Sequence, residues 1–116
     1  MGALAMGLAV ILGAFGAHAL RARVTPEQLA VWHTAVQFHV YHALGLFVVA
    51  GCANLVPWSG TVRLSGWLMA AGIVLFSGSL YVLVLSGSRW LGAVTPLGGT
   101  AFIAAWLLLA WSVWRA

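Results

Sequence analysis

Long apolar runs separated by short polar joints make up almost the whole chain. They cover residues 1–20, roughly 30–55, 64–85 and roughly 92–114, and the charged side chains fall between the runs or at the end of the chain. A helix needs about 20 apolar residues to cross the roughly 30 Å hydrocarbon core of a bilayer, and each run has that length. The pattern therefore predicts an all-α fold, an integral membrane bundle of four transmembrane helices. The spans are expected at about 2–20, 30–55, 64–85 and 92–114, in a single transmembrane domain over residues 1–116.

Composition supports a membrane protein and argues against a soluble one. Hydrophobic residues make up 64% of the 116 residues and charged residues 5%, with Glu27 as the sole acidic side chain. A soluble domain has about 25% charged residues. The net charge of +4 comes from five arginines dispersed at the ends of the runs, whereas nucleic-acid-binding proteins gather positive charge on one face. We therefore expect a lipid bilayer and no nucleic acid, with the arginines as topology signals and headgroup partners.

Two local signals predict where helices begin. The run Thr25-Pro26-Glu27-Gln28 offers Thr25 as N-cap, proline at the first helical position and glutamine for a capping box. Thr95-Pro96 predicts a similar start for helix four, with Thr95 as the cap. A helix two that starts at Thr25 is roughly 43 Å long, so its first turns exceed the hydrocarbon core. Trp32 is therefore expected at headgroup level.

Small residues predict where the helices pack. Helix backbones approach closely in lipid where glycine and alanine lie at the contact. The pattern predicts such packing on helices one, three and four, at Gly13, Gly16, Gly78, Gly98 and Gly99. Leucine in place of Gly78 or Gly99 is expected to overpack the bundle and to destabilise it by about 1–3 kcal/mol.

Four histidines are the candidates for chemistry inside the membrane, because ionisable groups in lipid are costly and mark functional sites. They are His18, His33, His39 and His42. At about 100° per residue, the last two share one face of helix two. On the nearly opposite face lie His33, Gln37 and Tyr41. A single four-histidine centre is therefore not predicted.

Several hypotheses for these histidines stay open. His39 and His42 form an i, i+3 pair that could bind a metal, with His18 as a third ligand. Haem needs one or two axial histidines, and a quinone headgroup could accept a hydrogen bond from one. A proton or substrate pathway is a further hypothesis. The simplest interpretation is that the imidazoles form hydrogen bonds to carbonyls or hydroxyls of neighbouring helices.

The serine motif Ser77-Gly78-Ser79 does not indicate a hydrolase. It lacks the Gly-x-Ser-x-Gly elbow, and the chain has no aspartate to complete the usual triad. We expect Ser77 and Ser79 to form hydrogen bonds within or between helices. With one carboxylate, no lysine and no nucleophile–base pair that the sequence places together, we expect no enzymatic activity.

Five motifs in order along the chain carry a family resemblance. They are Gly13-Ala-Phe-Gly-Ala-His18, Trp32-His-Thr-Ala-Val-Gln37, Tyr41-His42-Ala-Leu, Leu75-Phe-Ser-Gly-Ser-Leu-Tyr81 and Thr95-Pro-Leu-Gly-Gly99. Together they resemble the YgdD/YwdK family of small multi-pass membrane proteins of unknown function, over nearly all of the chain. The resemblance implies about four spans in the bacterial inner membrane, with relatives in mitochondria, and no known reaction.

The resemblance also implies a set of candidate polar site residues. Carried over position by position, these are His18, Gln37, His42, Ser77, Ser79, Tyr81 and Thr95. Some relatives have a different polar residue at the position of His39, so the resemblance does not imply an obligatory His39–His42 metal pair.

The functional prediction is a small inner-membrane protein without catalysis of its own. It would act through lipids, membrane-protein partners or a homo-oligomer, and no cofactor is expected. One alternative is a redox accessory protein that holds haem, metal or quinone through His18, His39 and His42. The other is a proton or small-solute pathway formed by an oligomer, since four short spans enclose little volume.

Overall fold

Four long helices follow one another in the computed structural model, which describes residues 1–57 and 60–116. Helix one covers Gly2–Leu20, helix two Pro26–Leu55, helix three Gly60–Ser86 and helix four Arg89–Trp114. Each is long and apolar enough to cross a membrane, and the described ranges contain no strand. The predicted four-helix, all-α membrane architecture is confirmed, although helices two to four begin earlier than the apolar runs suggested.

Helix two begins as its sequence predicts. The backbone N–H of Gln28 donates to Oγ1 of Thr25 at 3.2 Å, and the backbone N–H of Thr25 donates to Oε1 of Gln28 at 3.0 Å. This reciprocal capping box satisfies two backbone donors that a helix N-terminus leaves without intrahelical partners. Pro26 fits the first turn because the N–H that it lacks would have no helical acceptor.

Helix four begins differently from the prediction. A 3₁₀ turn over Arg89–Ala93 comes first, and the α-helical part, Thr95–Trp114, has Val94 at its N-cap with no side-chain cap. The expectation that Thr95 caps this helix was wrong. The preceding turn already supplies helical backbone, which leaves the Thr95 hydroxyl to bond to the carbonyl of Leu91 at 3.3 Å and to the Ser79 hydroxyl at 2.7 Å.

Two helices contain wider, π-helical segments that the hydrophobic pattern did not indicate. Helix one ends in one at Gly16–Leu20, and helix three is π-helical at Ile73–Gly78, between α-helical parts at Gly60–Gly72 and Ser79–Ser86. An i→i+5 turn changes the direction of the side chains that follow it, and such turns are frequent at functional sites. The segment in helix three contains Ser77, which is fully buried.

Hydrogen bonds from side chains connect neighbouring helices at several depths. The indole N–H of Trp32 donates to the carbonyl of Leu12 at 2.9 Å and joins helices one and two. The Ser77 hydroxyl donates to the carbonyl of Ala35 at 2.7 Å and joins helices two and three. Helices three and four are joined by the Ser65 hydroxyl, which donates to the carbonyl of Ala105 at 2.8 Å, and by the hydroxyls of Thr61 and Ser112, 2.6 Å apart.

Glycines allow close contact at two of the predicted positions and ordinary contact at a third. A Cβ atom on Gly16 would lie 2.5 Å from Cδ1 of Trp32. One on Gly98 would overlap the backbone nitrogen of Phe76 and lie 2.8 Å from the carbonyl carbon of Leu75. A Cβ atom on Gly13 would lie 3.4 Å from Cγ1 of Val36, a normal van der Waals distance.

Gly78 and Gly99 have room for a Cβ atom, so neither position requires glycine for close helix contact, and the predicted overpacking by leucine stays a prediction. A Cβ atom on Gly78 would come no nearer than 3.8 Å to the Ile73 carbonyl oxygen of the same helix, and one on Gly99 would lie 3.8 Å from the Phe76 ring. Gly78 is the last residue of the π-helical segment, and no described atom of a neighbouring helix lies within 4 Å of the Cβ position. Sequence analysis missed two tight positions. A Cβ atom would lie 2.5 Å from Cε1 of Phe102 at Gly72 and 2.7 Å from Sδ of Met69 at Gly45.

Candidate functional site

Helix two has the two polar faces that its helical periodicity predicted. One of them faces the bundle and the other faces outward. His39 and His42 are buried on the inner face, whereas His33, Gln37 and Tyr41 are exposed on the opposite face. The inner histidines lie among helices one, three and four. The two polar faces therefore have different surroundings and are described separately.

His39 is paired with Tyr81 of helix three. Nδ1 of His39 lies 3.1 Å from the Tyr81 hydroxyl oxygen, and His39 is 2% exposed. The second ring nitrogen, Nε2, is buried and has no hydrogen-bond partner among residues 1–57 and 60–116, although the ring lies beside the backbone of Ala5 in helix one. If Nε2 carries the proton, the tyrosine hydroxyl donates to Nδ1 and the Nε2–H faces helix one.

Aromatic packing fixes the tyrosine of this pair. The ring centroids of Tyr81 and Trp32 are 4.7 Å apart, and those of Trp32 and Phe15 are 5.6 Å apart. Trp32 is 0% exposed, so its indole lies inside the bundle, and its expected depth at headgroup level stays a prediction. The glycine at position 16 leaves room for the indole, and the Leu12 carbonyl accepts its N–H. Together these contacts hold the tryptophan inside the bundle.

His42 bonds to the backbone of its own helix and stacks on an aromatic ring of helix four. Its Nδ1 lies 2.7 Å from the carbonyl oxygen of Phe38. Since a carbonyl can only accept, Nδ1 carries a proton. The imidazole stacks on the Phe102 ring with centroids 3.4 Å apart and an angle of 9° between the planes. This side chain therefore fills the contact between helices two and four.

The predicted hydrogen-bonding role of the serines is confirmed. Ser77 donates to the carbonyl of Ala35 across helices two and three. Ser79 donates to the carbonyl of Phe76 at 2.9 Å in its own helix and contacts the Thr95 hydroxyl at 2.7 Å. Sequence analysis did not identify the other interhelical hydroxyls, at Thr61, Ser65 and Ser112. In the sequence, these three residues were marked only by being small and polar within an apolar run.

The proposed three-histidine metal set is not assembled. His18 is exposed in the π-helical end of helix one, whereas His39 and His42 are buried in the bundle. Across the described parts of the chain, no three His, Cys, Asp or Glu side chains cluster in a way that could hold a metal ion. The two inner histidines share a face of helix two, yet their Nδ1 atoms bond to different groups, the Tyr81 hydroxyl and the Phe38 carbonyl.

The outward polar face of helix two contains one internal hydrogen bond. The side-chain amide of Gln37 donates from Nε2 to the hydroxyl oxygen of Tyr41 at 2.6 Å. Both residues are exposed on the surface of the bundle, and His33 is exposed one turn before Gln37. These are polar groups on a surface that is otherwise strongly apolar.

Sequence comparisons now connect this architecture to known proteins. The model of a family described as "Protein of unknown function (DUF423)" matches residues 12–99. The chain belongs to this family. The match includes both polar faces of helix two and the Ser79–Thr95 contact, whereas Phe102, Ala105 and Ser112 lie beyond its end.

Curated relatives agree with this assignment. The UPF0382 membrane protein YwdK of Bacillus subtilis (strain 168) is 57% identical over 109 residues, which cover 94% of this chain and 89% of that protein. The UPF0382 membrane protein SH2409 of Staphylococcus haemolyticus (strain JCSC1435) is 44% identical over 115 residues, which cover 99% and 93%. No solved structure matches the chain. The resemblance to the YwdK-type family is confirmed, and the DUF423 chain described here is a small membrane protein.

Proposed function

We propose that this protein is a non-enzymatic component of the bacterial inner membrane that acts through contacts with lipids and membrane-protein partners. One observation carries the proposal. The polar side chains inside the bundle bond to helix backbones and to one another, whereas a second set of polar side chains faces outward on helix two. The first set supports the scaffold, and the second is available to a partner.

Ser65, Ser77 and His42 are poorly suited to chemistry because their hydrogen bonds go to backbone carbonyls. Ser65 and Ser77 donate to backbone carbonyls of neighbouring helices, and His42 donates to a carbonyl of its own helix. A serine nucleophile needs an adjacent base to accept its proton. Here both serine hydrogens go to carbonyl oxygens, which are not bases of that kind. This arrangement supports a structural role for the inner polar groups.

The outer surface suits a lipid environment. Large apolar side chains are exposed on helices one and four, among them Leu4, Ile11, Ile103 and Leu107. A bilayer covers such a surface, whereas water does not. A helical bundle with bacterial relatives also supports the inner membrane, since outer-membrane-type spanning proteins are β-barrels.

The first test is an absorption spectrum with elemental and quinone analysis of protein purified in mild detergent from its native membrane. We expect no Soret band, no stoichiometric metal and no stoichiometric quinone. The matched variants are His42→Ala on the inner face and His33→Ala on the outer face. A bound group that disappears in His42→Ala and persists in His33→Ala would contradict the proposal in favour of a redox accessory protein.

A further inference from the structure

We infer that the outward face of helix two is the surface through which two copies of this chain associate in the membrane. This inference rests on the proposed function, because it identifies the protein partner as a second copy. The surface, called here the helix-two stripe, consists of exposed residues at alternating spacings of four and three: Ala30, Thr34, Gln37, Tyr41, Leu44 and Val48. Side chains at this spacing form a continuous seam along one side of a helix.

The polar part of the stripe lies deep in the membrane. Helix two runs from Pro26 to Leu55, so its middle lies near residue 40. At 1.5 Å per residue, Tyr41 lies about 1–2 Å and Gln37 about 5–8 Å along the axis from the middle of the helix or of its apolar run, residues 30–55. The hydrocarbon core extends about 15 Å to either side of the midplane. Both side chains are therefore at a depth where polar groups usually face protein or a water-filled cavity rather than lipid.

The Gln37–Tyr41 bond leaves hydrogen-bonding capacity unused. One amide hydrogen of Gln37 goes to the Tyr41 oxygen. The second amide hydrogen, the amide oxygen and the tyrosine hydroxyl hydrogen have no bond to the parts of the chain that the structure describes. Acyl chains offer no partner for these groups, and the edge of the hydrocarbon core lies about one to two helical turns from Gln37. A protein surface with both donors and acceptors at the same depth satisfies them.

A second copy provides these groups at the correct depth. Two copies inserted with the same orientation are related by a two-fold axis along the membrane normal, so their second helices run parallel and equivalent residues meet. A glutamine amide has a donor and an acceptor, so Gln37 can pair reciprocally with its equivalent in the other copy. The bond to Tyr41 holds the amide in place beforehand. The helix-two stripe has no charged residue that would repel its own copy.

The stripe also has the spacing of a helix–helix seam. Spacings of four and three are those of parallel coiled coils, and most membrane bundles cross at similar angles. A single polar residue in such a seam sets the register of the two helices. Gln37 occupies that position here, with Leu44 and Val48 as apolar contacts toward the far end of the helix.

Disulfide cross-linking in native membranes tests the geometry directly. In a Cys52→Ser background, single cysteines replace Thr34 or Leu44 on the stripe, and Ile11 or Ile103 as controls. The controls lie near the middle of helices one and four, and both native side chains are 65% exposed. We expect oxidant-dependent dimers of this chain from the two stripe positions and several-fold fewer from the controls. Equal cross-linking at all four positions, or cross-links only to other proteins, would overturn the inference.

Energy transfer between labelled copies in vesicles tests the polar contact. An interhelical hydrogen bond in a membrane contributes about 0.6–1.7 kcal/mol, so Gln37→Leu should weaken dimerisation by about 3- to 20-fold. Thr100→Val is the matched control. It removes an exposed hydroxyl whose bond, to the Pro96 carbonyl, stays within helix four, and it should leave dimerisation unchanged.

Monomeric protein at every protein-to-lipid ratio, or equal dimerisation of both variants, would refute the second-copy interface. That result would leave the spectroscopic test of the proposed function unaffected. Conversely, a bound redox group would refute the proposed function whether or not the protein dimerises.

Discussion

Alanine in place of Gly98 tests the close contact between helices three and four. A Cβ atom at this position would overlap the backbone nitrogen of Phe76 and lie 2.7 Å from the Phe76 Cβ and 2.8 Å from the Leu75 carbonyl carbon. These are backbone atoms or the atom attached to them, so no side-chain rotation can relieve the overlap. Helix four must instead move away from helix three along the contact.

The expected loss follows from two opposing terms. Overpacking costs about 1–3 kcal/mol, and an immovable backbone neighbour places Gly98 at the upper end of that range. Alanine recovers about 0.5–1 kcal/mol, because glycine is the poorer residue in a helix interior. The net loss in the free energy of unfolding is therefore about 2 kcal/mol, or roughly 30-fold in the unfolding equilibrium.

Gly99→Ala is the control, since it makes the same chemical change one residue later. Its Cβ atom would lie at an ordinary 3.8 Å from the Phe76 ring, so the variant should equal or slightly exceed the wild type in stability. The assay is reversible unfolding in mixed micelles with increasing denaturing detergent, followed by far-UV circular dichroism. A Gly98→Ala protein as stable as Gly99→Ala would refute the close approach of the two helices.

The remaining predictions concern hydrogen bonds and use the same assay. Ser77→Ala should lower the free energy of unfolding by about 0.6–1.7 kcal/mol, because its hydroxyl joins two helices. The control, Ser86→Ala, removes only exposed local bonds, to the Val82 carbonyl and from the Ser88 N–H, and should change that free energy by less than about 0.5 kcal/mol. Equal losses would contradict the interhelical role of Ser77. Tyr81→Phe should lower the free energy of unfolding by about 1–3 kcal/mol, because it leaves both ring nitrogens of the buried His39 without a partner. Unchanged stability would show that the His39–Tyr81 hydrogen bond is not formed. Thr25→Ala should lower the free energy of unfolding by about 0.5–2 kcal/mol, because the capping box is lost. Unchanged stability and helicity would argue against the capping box.

The candidate site was partly predictable from sequence because helical periodicity is a local property. At 3.6 residues per turn, His39 and His42 had to share a face, and Gln37 and Tyr41 had to lie on the opposite one. Which face would be buried depended on neighbouring helices, whose positions periodicity does not contain. The pairing of His39 with Tyr81, 42 positions apart, is of this second kind.

The glycines also show that periodicity does not reveal which face of a helix contacts a neighbour. All five predicted glycines lie in helices, yet Gly98 contacts a neighbouring backbone closely and Gly99 does not. A rotation of 100° per residue separates the two, and only the direction of the adjacent helix decides which one needs to be small. At Gly78, the last residue of the π-helical segment Ile73–Gly78, the nearest described atom to a Cβ would be the Ile73 carbonyl oxygen of the same helix at 3.8 Å, so no neighbouring helix requires glycine there.

The sequence by itself determined the membrane environment, the number of spans, the start of helix two and the family. These properties follow from local composition, from hydrophobic length and from motif order, none of which requires knowledge of neighbours. Tertiary structure decided the rest: the wider turn in helix three, the separation of His18 from the buried histidines, the close contact at Gly98, and the outward position of Gln37. These depend on packing between segments distant in sequence, where steric fit and the need to satisfy buried polar groups select one arrangement among many with the same helical pattern.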